Sequence, residues 1–579
     1  MTSKPSPSGS GRTTRIGARH AVAAGHQLSA EAALGVLEAG GNAVDAGVAA
    51  GLVTGVVEVT FVNVAGVAPT MIRMAETGEI VTIDGLGTWP KAASCAYFRE
   101  NFDGRIPDGL PRAVMPAAPD AWLTALERYG TMSFAEVSEA AIQTAREGFP
   151  VYPLLARQIA EREETIRAMP DNAAVFLAQG RPPEAGETLV QKDLARTLQF
   201  LADEDKAGGK RGREAGLRNV RKAFYNGDIA SVIVRYHAEN GGLITREDLA
   251  AFRVNVEAPH SIRLGETEVY TCGPWCQGPM LLQVLNLLES YDLMAMRDDM
   301  PAYIHTVTEA VKLAAADREA YYGDPKFIDV PMDTLLSKDY AALRREMIRE
   351  GEAWPDMPAA GEIPGAAPGG AVGAAAPARG PDEGRWDTSY LCVVDKWGNA
   401  FSATPSDSAA TSPMIPGTGL TPSTRGSQSW TDPDHPCSIE TGKRPRLTPN
   451  PALAIQPGRW MMPFGTPGGD VQTQAMAQVF LNIVVFGMDM QEAVEAPRFA
   501  SASFPSSFEP HATNPGLLKL EASLAEDFGD ALAGLGHEIL AWPKDFWEAG
   551  SVCAIMADQE TGERRACADH RRAAHALAG

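Results

Sequence analysis

Two places in the chain carry residue types whose pairing would cleave an amide. At Asp387–Thr388 a Gly/Ala/Pro-rich stretch runs into the strand-forming segment Thr388-Ser389-Tyr390-Leu391-Cys392-Val393-Val394-Asp395. A threonine inside a chain is a weak nucleophile. Freed by cleavage of the bond before it, Thr388 gains an α-amine of pKa about 7.7–8 beside its own hydroxyl, a built-in general base. The second place is Pro467-Gly468-Gly469-Asp470, between a strand ending at Phe464 and a helix starting near Val471. Backbone N–H groups at such a turn point outward without side-chain obstruction, and the helix dipole adds positive potential, as an oxyanion hole requires. Singly, each has an ordinary reading: a threonine at a strand start, and a tight loop. Together they are the parts of an enzyme that frees its own nucleophile.

The elements around them divide the chain. Residues 1–15 are polar and read as a disordered N-terminus, and 16–353 as a helix-rich part. Residues 28–54 form a helical pattern with small residues on its packing face and a break at Gly40-Gly41, followed by short strands at 71–74 and 79–83. Helical periodicity then covers 121–129, 134–147, 154–168, 192–203, 279–288, 302–320 and 335–348. Residues 354–387 are a Pro/Gly/Ala-rich linker with little apolar surface to bury, ending at the cleavage site. From Thr388 to 579 the pattern is strand-rich: 389–394, a turn at 396–399, 400–403, 452–455 and 460–464, then helices near 471–486 and 490–496.

Composition narrows the function. Lys+Arg 51 against Asp+Glu 73 gives a net charge of −22, which repels nucleic acid and anionic membranes. Met1–Arg15 lacks the apolar run of a secretory signal, and no segment supplies about 18 consecutive apolar residues, so the expectation is a cytoplasmic protein. The seven cysteines form no metal-like cluster; no metal site and no cofactor are expected.

Several motifs in order carry a resemblance. Gly40-Gly41-Asn42-Ala43-Val44-Asp45-Ala46, GLITREDLAAF at 242–252, Val393-Val394-Asp395 with Gly398-Asn399-Ala400, Gly442-Lys443-Arg444-Pro445, Thr466-Pro467-Gly468-Gly469 and Ala496-Pro497-Arg498-Phe499 resemble the γ-glutamyltransferase (γ-glutamyltranspeptidase) family of N-terminal-nucleophile hydrolases. The resemblance implies an α+β fold, a four-layer αββα sandwich formed jointly by a large and a small subunit. It implies autocatalytic cleavage between Asp387 and Thr388 into fragments of 387 and 192 residues, and an acyl-enzyme mechanism. Matched position by position, Thr388 is the nucleophile, Gly468 and Gly469 are the oxyanion glycines, and Ser406 and Ser408 stand for the family's threonine that bonds the nucleophile and the asparagine two positions on.

The departures bear on the substrate. The family's carboxylate-binding arginine falls on Leu86 of Asp84-Gly85-Leu86-Gly87, and its acidic ammonium-binding cluster on Arg425 to Gln428, Arg-Gly-Ser-Gln. The Ser-Ser pair after the KRP motif becomes Leu447-Thr448. A buried ammonium without its carboxylate costs several kcal/mol, so a γ-glutamyl headgroup is disfavoured. Arg425 suits a carboxylate by a bidentate contact, or is a surface arginine; Leu86 and Leu447 narrow or desolvate the pocket. The segment 430–441 is short for a loop over the site, and His435 and Cys437 on it read as incidental. The expected enzyme is a self-processing amidohydrolase cleaving a small carboxylate-bearing, non-γ-glutamyl amide, oxamate-like. The alternatives are a γ-glutamyl hydrolase or transferase on glutathione-type substrates, a glutaryl- or cephalosporin-type acylase, and an uncleaved scaffold homologue. Its partners are the small amide and its own two subunits, with further homo-oligomerisation left open.

Overall fold

Along the strand Leu391–Val394 the side chains part by turns. Leu391 and Val393 pack into an apolar cluster with helices, while Cys392 and Val394 pack into a second cluster between two sheets. That is the period-two division a strand buried on both faces imposes. The computed structural model, which describes residues 10–369 and 387–579, extends this division into four layers.

Each of the two packed sheets has seven strands, antiparallel throughout. One runs in the order 575–578, 21–24, 391–394, 400–403, 70–73, 80–83, 256–257; the other 15–17, 564–568, 553–558, 460–465, 452–456, 267–271, 260–264. The cluster between them is built largely of small side chains, among them Ala21, Ala23, Ala400, Ala566 and Ala576, which let the sheets approach closely. Helices Ala43–Val57 and Ala118–Tyr129 cover the first sheet, and Gly278–Leu288, Met300–Tyr321 and Gln472–Phe480 the second. Gly47 shows why the face of the 43–57 helix must be small: a Cβ there would stand 2.2 Å from the Phe401 ring.

Strands from before and after Asp387 interleave in both sheets. Leu391–Val394 lies between Ala21–Ala24 and Ala400–Ala403, and Ala452–Gln456 lies beside Thr267–Thr271. A cut at residue 387 therefore leaves both fragments sharing both sheets. Asp395 adds a tie: its carboxylate caps the turn at Trp397 and Asn399 and accepts from the Ala43 N–H at the start of the 43–57 helix, 2.9 Å.

Three sequence expectations change in detail. Residues 1–9 of the expected disordered N-terminus lie outside the described residues, but Arg15–Gly17 is an edge strand and Arg12 donates to three carbonyls, Ala568, Asp569 and Ala574. Of the linker, 370–386 lies outside the described residues. Its first part lies along the 300–321 helix, where Glu309, Lys312, Asp317 and Tyr321 bond the backbone of Trp354 and Gly361. Ile363 is buried in the core beneath it, with Met357, Ala360 and Ala366 packed alongside, so apolar contacts and polar bonds to the backbone together order the segment. The helix expected over 154–168 divides at Arg162, whose backbone leaves helical geometry. Among the described residues no helix is long and apolar enough to cross a membrane.

Candidate active site

Thr388 enters its strand through a constrained backbone. Its N–H donates to the Phe61 carbonyl (2.8 Å), its own carbonyl accepts from Arg572 Nη1 (2.9 Å), and the next N–H, of Ser389, donates to Pro405 O (2.9 Å). The Arg572 guanidinium lies over the Phe61 ring at 4.2 Å and the Trp547 ring at 5.2 Å. Held this way, Thr388 has φ of 93°. A β-branched residue in that region is a steric outlier costing about 1–3 kcal/mol, and here the strained N–Cα rotation adjoins the peptide bond that would be cut.

The side chain meets Ser406, Oγ1 to Oγ, at 2.5 Å. Ser406 is placed by an antiparallel bridge to Val67 in which each N–H donates to the other's carbonyl, at 3.0 and 3.3 Å. Arg425 Nη2 donates to the Ser406 hydroxyl at 2.7 Å and is ion-paired with the Asp387 carboxylate. Asp387 in turn accepts from the Ser408 N–H (3.2 Å), the Ser406 hydroxyl (3.2 Å) and the Thr388 hydroxyl (3.3 Å). Asp407, fully buried at φ 96°, stands 3.9 Å from Arg425 Nε and accepts from Ser423 and Thr424. Burial raises the Asp407 carboxyl above its ordinary range. Burial works against the charge on Arg425 too, but Asp387 and Asp407 outweigh it and hold the guanidinium protonated. Arg425 is 1% exposed, so the surface-arginine reading falls.

The Pro467-Gly468-Gly469 turn follows the strand Trp460–Gly465. Pro467 O accepts from Thr466 Oγ1 (2.8 Å), and Gly468 O from the Val471 N–H (2.9 Å). In a trans peptide the N–H points opposite the carbonyl, so the Gly468 and Gly469 N–H groups face away from those bonds. The conformations, φ 128° and 53°, are ones glycine adopts freely. Gln277 Nε2 anchors the turn from behind, bonding Gly469 O (2.8 Å) and Thr448 O (3.0 Å). Thr448 Oγ1 accepts from Gln428 Nε2 (3.1 Å). Beyond the turn, Asp470 pairs with buried Arg318 at 2.5 Å. Gly468 also faces the Glu548 carbonyl and Gly550, next to the Trp547 that lies under Arg572, which ties the turn to the surroundings of Thr388.

A cavity of about 780 Å3 opens at this place. Asp387, Ser408 and Arg425 line it, with Phe508, Trp547 and Arg162 around them, whereas Thr388 and Ser406 do not reach its wall. Asp387 stands between them and the cavity. Leu86 and Leu447 do not narrow it: both are buried in a separate apolar cluster with Val67, Cys272, Trp275 and Cys276. Two leucines are more cheaply buried against Trp275 than against a polar cavity, which is why the expected pocket role is not realised. Thr448 and Gln428 are likewise off the cavity wall, bonded to each other. His435 stacks on Trp430 at 4.3 Å and Cys437 bonds the Tyr322 carbonyl, both away from Thr388.

Sequence reasoning missed Asp407, Arg572, Phe508 and Glu58. Asp407 had a signal, its place between Ser406 and Ser408; Arg572 had none, standing 184 residues from the carbonyl it bonds. Glu58 accepts from the Ser389 hydroxyl at 2.6 Å. Burial pushes its carboxyl up to about 7, against the opposing pull of Ser389 and Arg572. Burial draws Arg572 down to about 10. Far from the site, His305, Glu309 and His537 converge, but the two imidazoles bond each other at 2.9 Å and Glu309 pairs with Lys312 at 2.8 Å, so these groups are already partnered.

A family model described as gamma-glutamyltranspeptidase matches residues 29–579. The Acylase ACY 1 proenzyme of Pseudomonas sp. (strain SE83) is 31% identical over 554 residues, 93% of this chain and 90% of the relative. The glutathione hydrolase proenzyme of Bacillus subtilis (strain 168) is 27% identical, over 96% and 91% of the two chains. The crystal structure of cephalosporin acylase from Bacillus halodurans superposes with a TM-score of 0.84 at 27% identity, covering 100% of this chain and 99% of that one.

Proposed function

The chain belongs to the γ-glutamyltranspeptidase family, and on that premise we propose that it is a self-processing amidohydrolase for a small amide whose acyl part carries a carboxylate. Relatives such as the Acylase ACY 1 proenzyme favour an enzyme over an uncleaved scaffold homologue, which would run as a single full-length band on a denaturing gel. One observation carries the reading of the substrate: a fully buried arginine, Arg425, bonds the hydroxyl that bonds Thr388 and also lines the cavity.

In maturation, Thr388 Oγ1 attacks the Asp387 carbonyl carbon; its proton passes to the departing Thr388 nitrogen as the C–N bond breaks, and water hydrolyses the ester. Asp387 then ends one chain with a carboxylate and Thr388 begins the other with a free amine. In turnover the amine takes the proton of Oγ1, which attacks the substrate carbonyl while Ser406 holds the hydroxyl in line. The N–H groups of Gly468 and Gly469 bind the oxyanion, Arg425 binds the carboxylate, the amine product leaves with the proton, and water cleaves the acyl-enzyme.

The monoamides in question run from oxamate to glutaryl amides. A γ-glutamyl substrate carries its carboxylate at the glutaryl spacing but with an ammonium on the same carbon, and near Arg425 that second positive charge opposes binding. The test is a panel of oxamate, longer monoamides and γ-glutamyl p-nitroanilide with the processed protein. Turnover of the γ-glutamyl compound comparable to the best anionic amide would overturn the reading in favour of a glutathione-type hydrolase.

A further inference from the structure

In the uncleaved chain the arginine assigned to the substrate already has an occupant. The Asp387 carboxylate pairs with Arg425, takes the Ser408 N–H and touches the hydroxyls of Ser406 and Thr388. It is 9% exposed, on the cavity wall, with the nucleophile buried behind it. Asp387 is also the acyl donor of maturation, since its carbonyl is the one Thr388 Oγ1 must attack.

One residue therefore presents a carbonyl to the nucleophile and a carboxylate to Arg425 at once. In an aspartyl unit those two groups are separated by two carbons, Cα and Cβ. Oxamate has none between them and a glutaryl amide three. We propose that Asp387 is a built-in occupant of the carboxylate subsite, so that maturation is a first turnover whose acyl group has the spacing of the later substrate: a four-carbon monoamide of the succinamate type. The inference rests on the reading of Arg425 above and adds the chain length.

The subsite also has a reason to empty. Before cleavage the single guanidinium of Arg425 faces two carboxylates, Asp387 at bonding distance and Asp407 at 3.9 Å. Hydrolysis of the Asp387–Thr388 bond leaves a new α-carboxylate on the same residue, a third carboxylate beside the group formed by Asp387, Arg425 and Asp407. Like charges this close repel, which weakens the hold of Arg425 on Asp387. A free monoamide brings one carboxylate and restores the balance.

The experiment has two arms. Full-length Thr388→Ala chain, which cannot cleave, is titrated with succinamate by calorimetry, beside the double variant Asp387→Asn/Thr388→Ala, with circular dichroism confirming that both fold. The double variant is expected to bind at least tenfold more tightly, and equal affinity overturns the occupancy of the subsite. In the second arm the processed wild-type enzyme is given oxamate, malonamate, succinamate and glutaramate. The value of kcat/KM is expected to peak at succinamate by tenfold or more. A peak at another length overturns the spacing while leaving Arg425 as a carboxylate receptor. Failure on all four, with turnover of γ-glutamyl p-nitroanilide, overturns the proposed function itself.

Discussion

Thr388 Oγ1 and Ser406 Oγ stand 2.5 Å apart while the bond before Thr388 is still intact. The contact that orients the nucleophile thus precedes the cut. In the proposed mechanism one hydroxyl pair serves both maturation and turnover, because both begin with the same oxygen attacking a carbonyl.

Thr388→Ala is expected to give a single band on a denaturing gel in place of fragments of 387 and 192 residues, and no hydrolysis. Ser406→Ala keeps the nucleophile and removes its partner. A hydrogen bond to a group developing charge contributes about 1.5–3 kcal/mol, so both the rate of self-cleavage and kcat should fall about tenfold to a hundredfold. Gel densitometry over time and steady-state kinetics read the two rates; if only one of them fell, the shared role would be wrong.

At Gly468 the backbone has φ of 128°, and a Cβ would meet its nearest neighbours at 3.6 Å. Space is therefore adequate and the conformation is the obstacle. Gly468→Ala should tilt the turn and mis-aim its N–H, lowering kcat about a hundredfold to a thousandfold with KM little changed. A rise in KM alone would place the turn in binding rather than in stabilising the oxyanion.

Glu58 gives a pH dependence of stability. Its carboxyl rises from 4.5 to about 7 on folding, so the folded chain holds that proton more tightly than the unfolded chain. The stabilisation is fully present below pH 4.5 and is lost as the pH climbs through about 7, a total of about 3 kcal/mol. Glu58→Gln resembles the protonated form and should flatten this decline. Urea midpoints at pH 5 and pH 8 test it: the wild type should lose more between them than the variant, and equal losses would mean that Glu58 ionises as easily folded as unfolded.

Leu86 lies 1% exposed among Val67, Cys272, Trp275, Cys276 and Leu447. Leu86→Arg, which restores the residue expected of a γ-glutamyl site, should bury an ill-partnered charge and cost several kcal/mol without creating glutathione hydrolysis. Thermal unfolding and a glutathione assay decide this, and a stable variant that turns over glutathione would show the leucine to be the specificity switch.

Much of the fold was legible along the chain. The small-residue helix around Gly40-Gly41, the hairpin beginning at Leu391 and the long helix ending near Ala320 are local patterns, set by side-chain size and period. The strands 553–558 and 564–568 were not read. They stand in alanine- and cysteine-rich segments whose small side chains pack between sheets, so they carry little of the alternation between large apolar and polar residues that marks an exposed sheet face. The Pro/Gly/Ala-rich 354–369 segment was misjudged because its order comes from contacts with the 300–321 helix and the core beside it, which sequence distance conceals.

Taken alone, the sequence marked Thr388 as the candidate nucleophile and determined the glycine turn and the family, because these depend on residue identity in short runs. Only the tertiary structure decided which of the altered residues line the cavity. It put Leu86 and Leu447 into an apolar cluster, since burial against Trp275 satisfies them, and it brought Arg425 to Asp387, 38 residues earlier in the chain. A buried guanidinium must find a carboxylate. Which carboxylate it finds is settled by the folding of strands that the sequence sets far apart.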